Sequence, residues 1–102
     1  TSWALASTSF DGRWSVQIVA SSEQCQLVHA VPISVENGSI RYAGLFGAVA
    51  KGTVGADGGV TVRVSHKSDV VHVRGSLTAV RGKGSWSAPT NDCTGTWVAH
   101  RT

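Results

Sequence analysis

One hundred and two residues suffice for one domain with its own core but not for two. The formal charge of +3 comes from nine Lys and Arg against six Asp and Glu. These cations are dispersed from Arg13 to Arg101 instead of forming a block, so nucleic acid is not an expected partner. No apolar run approaches the roughly 18 residues of a bilayer-crossing helix, and no Cys/His spacing of the C-x-x-C kind is present, so neither a membrane span, a metal nor a cofactor is expected.

The chain opens with Thr1-Ser2-Trp3-Ala4-Leu5-Ala6, in which Ala4-Leu5-Ala6 has the small-x-small form of a signal-peptidase site. Residues 1–9 are therefore read as a tail: the remnant of an export signal, a tag, or a short extra strand. A single domain is expected over residues 10–102.

From Phe10 onward nearly every segment alternates with period two, and no helical stripe is sustained, which predicts an all-β fold. In the first strand Trp14, Val16 and Ile18 share one face, and Arg13, Ser15 and Gln17 share the other. After a polar turn at Ser21–Gln24, the residues Cys25, Leu27, His29, Val31, Ile33 and Val35 fall on one face of a second strand. Pro32, on the other face, either bends that strand or marks an edge, because it has no N–H for the ladder.

Asn37-Gly38 is the strongest hairpin signal, since both residues tolerate the positive φ of a type I′ turn. That turn sets Val35 opposite Ile40 and Ile33 opposite Tyr42, so both apolar faces coincide. A strand from Phe46 to Val54 follows, with small residues on its inner face. The loop Gly55–Gly59 then sets Val54 across from Val60 and Gly52 across from Val62. A turn near Lys67-Ser68 brings Val64, Val62 and Val60 against Val71, Val73 and Gly75, which stacks Arg63 beside His72 and Thr61 beside Arg74 outside. Thr78–Lys83 reads as a loop, Gly84–Ala88 as a strand, Pro89–Asp92 as a turn and Cys93–Arg101 as the last strand.

Seven or eight such strands in sequence allow a sandwich or a small antiparallel up-and-down β-barrel. The Gly12-Arg13-Trp14 entry is echoed by Gly84-Ser85-Trp86 and Gly95-Thr96-Trp97, which suggests that the chain ends meet and that the first and last strands close a barrel. An immunoglobulin-type sandwich is disfavoured, because no Trp follows Cys25 at the expected distance and position 91 is Asn. Closure also brings Cys25 to Cys93, so one disulfide is expected, and with it a periplasmic or secreted location. The alternative is two buried reduced thiols.

At Gly12, Trp14 and Arg101 the chain resembles the calycin barrels of lipocalins and avidins. There a Gly-x-Trp opens the first strand, and a basic residue near the end of the last strand packs over the Trp. Over most of its length it also resembles short exported alphaproteobacterial proteins with no assigned activity. The shared features are Phe10-Asp11-Gly12-Arg13-Trp14, Cys25, Cys93 and Gly95-Thr96-Trp97. The calycin likeness implies a barrel that binds a ligand; it brings no ligand identity, since none of the biotin-holding residues of avidins is found.

The candidate ligand-binding residues are Trp14, His29, Tyr42, Phe46, Trp86 and Trp97, which either line a pocket for a small apolar or amphipathic ligand or simply fill the interior. Arg81-Gly82-Lys83-Gly84 reads as a glycine loop whose N–H groups and two cations suit an anion, and Arg63, His72 and Arg74 form a second basic patch. These basic residues suit an alternative role, docking to or inhibiting an envelope or host protein. His66, His72 and His100 have no Ser, Cys or carboxylate at a catalytic spacing, and Asp69 near His66 reads as turn chemistry, so no enzyme activity is expected.

Overall fold

The computed structural model describes residues 10–25, 30–43, 49–66 and 68–102. They form eight strands: β1 Gly12–Ala20, β2 Ala30–Glu36, β3 Ser39–Ala43, β4 Val49–Val54, β5 Gly59–His66, β6 Asp69–Leu77, β7 Arg81–Ala88 and β8 Cys93–Arg101. Each strand is antiparallel to the next in sequence, and β1 pairs with β8 from Trp14↔Arg101 to Ala20↔Gly95, closing the barrel. Cys25 and Cys93 form a disulfide across that seam, with their Cα atoms 5.7 Å apart. No helix among the described residues is long and apolar enough to cross a membrane.

Turn chemistry sets most of the register. Asn37 and Gly38 take φ values of 52° and 78° and give Val35↔Ile40, as expected for a type I′ turn. The Asp11 carboxylate accepts hydrogen bonds from the Asn37 and Gly38 N–H groups, at 2.8 and 3.3 Å, and so anchors the lead into β1 on this hairpin. The pairs Val54↔Val60, Gly52↔Val62, Val64↔Val71, Val62↔Val73 and Val60↔Gly75 all form as the alternation predicts.

Three expectations are corrected. The second strand does not reach back to Cys25: Glu23–Cys25 is a 3-10 turn and β2 begins at Ala30. Arg81–Gly84 is not a loop but the first half of β7, where Gly82 and Gly84 turn inward; the connection is only Thr78–Val80. The β2–β3 ladder stops at Ser34↔Arg41, so Ile33 and Tyr42 are in register without pairing.

The last correction has its cause in Pro32. Hydrogen-bonded and non-hydrogen-bonded pairs alternate along an antiparallel ladder. Glu36 and Ser39 flank a two-residue turn, so residues 36, 34 and 32 direct their N–H groups toward β3. Proline has none, and the ladder ends there. On the β1 side Pro32 opposes Ser15 at a position where no N–H is required, and β1–β2 pairing continues to Gln17↔Ala30. Pro32 thus marks a local edge inside a closed barrel.

Candidate functional site

The two ends of the barrel differ. At the end holding the Asn37-Gly38, Gly55–Gly58 and Thr78–Val80 turns, the interior is sealed by Phe10, Trp14, Val35, Ile40, Val54 and Leu77, all buried. Trp14 is 1 % exposed, and its indole N–H donates to the Phe10 carbonyl at 2.9 Å. Arg101 lies over the Trp14 ring, its Cζ 4.7 Å from the centroid. Its guanidinium donates to the carbonyls of Ala79, at 2.9 Å, and of Asp11. This end is a plug fixed by stacking and hydrogen bonds.

Toward the disulfide Ala88 is buried, but the larger inward-facing apolar side chains are only half-buried. Tyr42, Ala50, Val64 and Val71 are direct cross-strand neighbours in one row. Below them lie Val62, Val73 and Trp86, packed against the buried core. The wall here is thin because glycines occupy inner positions. The two late Gly-x-Trp motifs sit on adjacent antiparallel strands in a reciprocal register, Trp86↔Gly95 and Gly84↔Trp97, so each indole lies across the glycine of the other strand. A Cβ at Gly84 would come within 2.6 Å of the Trp97 Nε1, and one at Gly95 within 2.6 Å of the Trp86 Cε2. The indole N–H groups then reach backbone one strand further on, Trp97 to the Arg74 carbonyl at 3.1 Å and Trp86 to that of Val19 at 3.3 Å.

The predicted ligand residues therefore separate. Trp14, 1 % exposed, and Trp97, 4 % exposed, belong to the buried core, whereas Tyr42 and Trp86 are half-buried toward the disulfide end. His29 and Phe46 lie outside the described residues. Sequence reasoning missed Val64 and Val71 as mouth residues, although their alternation was visible; burial along a strand depends on its height in the barrel, which alternation does not encode.

On the outer wall Arg63 and His72 are paired neighbours, and Arg74 follows two residues along, all exposed. Arg81 and Lys83 are also exposed but lie in other rows, opposite His100 and Val98. The register adds two cations to the patch that were not singled out: Arg41 pairs with Lys51, and Lys51 with Arg63. Among the described residues no group of three or more His, Cys, Asp or Glu is placed to hold a metal ion. No protein-family model and no curated protein matches the chain.

Proposed function

We propose that this protein is an exported, non-catalytic binding module that takes one small apolar or amphipathic ligand into the disulfide end of its barrel. One observation carries the reading: the interior is sealed at one end and lined at the other by half-buried apolar side chains, among them Tyr42, Val64, Val71, Val73 and Trp86. An eight-stranded barrel is wide enough either to fill with side chains or to admit one small ligand, and here the filling is uneven. Apolar surface left half-exposed inside a concave wall is what such a ligand covers. The Cys25–Cys93 bridge suits an oxidising compartment, which supports export.

The test is titration with an uncharged naphthylamine probe, following its fluorescence and that of Trp86, together with native mass spectrometry for a co-purified ligand. The wild-type chain is expected to bind one probe, and Val71→Lys, which places a charge at the mouth, to weaken binding about tenfold or more. Absence of probe binding, or a Val71→Lys variant with unchanged affinity, overturns the reading.

A further inference from the structure

We propose that the outer wall of the barrel is a second binding surface, for a linear polysaccharide carrying carboxylate or sulfate groups. The inference is independent of the ligand in the mouth. It starts from a row of outward-facing residues that the register places side by side: Arg13, Ser34, Arg41, Lys51, Arg63 and His72. Adjacent strands lie about 4.8 Å apart, so from β3 to β6 the row presents a basic side chain at every step.

Like charges directly opposite one another destabilise a sheet, and no ion pair among the described residues joins these cations to a carboxylate. The row is a cost to the fold that an anionic partner would remove. It winds with the barrel stagger: Thr102 donates to the Arg13 carbonyl at one end, and beyond His72 the row continues through Ser87 to Thr94. There it enters an open groove whose polar lining is His72, Arg74, Ser85, Ser87, Thr94 and Thr96 and whose apolar lining includes the exposed Val19. The parallel row beside the cations is Glu36, Ser39, Thr53, Thr61 and Arg74, so its one carboxylate stands at the β2 end and hydroxyls and a further cation follow it.

Cations flanked by hydroxyls select among anionic partners. Protein interfaces are centred on clusters of apolar anchors, whereas the exposed apolar residues here, Val49 beside the row and Val19 in the groove, stand singly among polar neighbours. Single-stranded nucleic acid needs successive aromatic platforms, and the one aromatic residue lining the groove, Trp86, turns its side chain to the inner face of the wall, with its N–H committed to Val19. An acidic glycan matches both parts. Its acid groups pair with arginine forks, and its ring hydroxyls exchange hydrogen bonds with Ser and Thr.

The experiment is calorimetric titration of the full chain at about 150 mM salt. The probes are an oligogalacturonate, a heparin oligosaccharide, neutral dextran, a thymidine oligonucleotide and poly-glutamate. Binding is expected to one or both acidic glycans, the responding probe telling carboxylate from sulfate, with dextran silent and the other two polyanions at least tenfold weaker. Arg41→Gln/Lys51→Gln/Arg63→Gln should weaken glycan binding about tenfold or more while leaving circular dichroism and naphthylamine binding at the mouth unchanged. The proposal falls if neither glycan binds, if the oligonucleotide or poly-glutamate binds as tightly, or if the triple variant keeps full affinity. Each of those results leaves the ligand-binding reading to its own test.

Discussion

Trp14 is held from several directions at once. Its ring is capped by the Arg101 guanidinium, its N–H is satisfied by Phe10, and its backbone is paired to Ile33 on β2 and Arg101 on β8. Phe10, Ile33 and Arg101 come from different stretches of chain, so one residue, through its side chain and its backbone, ties the lead-in segment, β1, β2 and the end of β8 together. Truncating a fully buried Trp removes its transfer free energy and leaves a cavity that a β-barrel wall cannot easily collapse into. Trp14→Ala should therefore lose about 3–5 kcal/mol in urea denaturation followed by circular dichroism. A loss below about 1 kcal/mol would mean that the plug is held elsewhere. Gly84 and Gly95 act through what they lack: a methyl group on either would press into a backbone carbonyl, of Arg74 or Val19, and into the indole that donates to it, overpacking that commonly costs about 1–3 kcal/mol.

Among the elements, the β2–β3 hairpin is the one whose chemistry both sets and limits the barrel. Asn37-Gly38 fixes its register at the turn, and Pro32 ends its ladder, opening a slot bounded by Ile33, Ser34, Arg41 and Tyr42. Pro32→Val restores the missing donor in a β-favouring residue, so the ladder should extend toward Ala43 and the new amide should gain protection in hydrogen exchange. One added backbone hydrogen bond is worth about 0.5–1.5 kcal/mol. If the amide introduced by that substitution exchanged as fast as an exposed loop amide, the missing N–H of Pro32 would not be what ends the β2–β3 ladder.

The same element shows what the sequence makes legible. Register could be read wherever a short turn with positive φ residues joined two alternating runs, as at Asn37-Gly38. It could not be read at Arg81–Gly84, where two glycines imitate a loop but serve as the inner-face gaps that Trp97 and Leu77 cover. The reciprocal Gly-x-Trp pairing was visible as a repeat and invisible as a contact, because its meaning depends on the two motifs running antiparallel in a particular register. Arg41 and Lys51 were missed for a related reason. A lateral row of charge emerges only when the registers of several hairpins are multiplied together, so one uncertain loop hides it.

At the scale of the whole molecule, the barrel is closed by two devices at opposite ends. At the plugged end, Arg101 and Thr102 bind the carbonyls of Asp11 and Arg13, so the seam between β1 and β8 is secured by side-chain and main-chain hydrogen bonds. At the other end Ser21 donates to the Thr94 carbonyl at 2.9 Å, and the Cys25–Cys93 bridge lies just beyond. Apart from Ala88 the interior side chains there are half-buried, so covalent closure adds to the smaller apolar burial of that end. With 68 residues separating the two cysteines, the loop-entropy estimate assigns the bridge about 4 kcal/mol. Reduction should therefore lower the denaturation midpoint by a corresponding amount. The location of the change is the more discriminating readout. Hydrogen exchange after reduction should quicken first at Val19–Ser21 and Cys93–Thr96, while the amides around Trp14 and Arg101 stay protected until global unfolding. Uniform loosening of both ends would show that the barrel has a single closure, with the plug and the bridge acting as one unit.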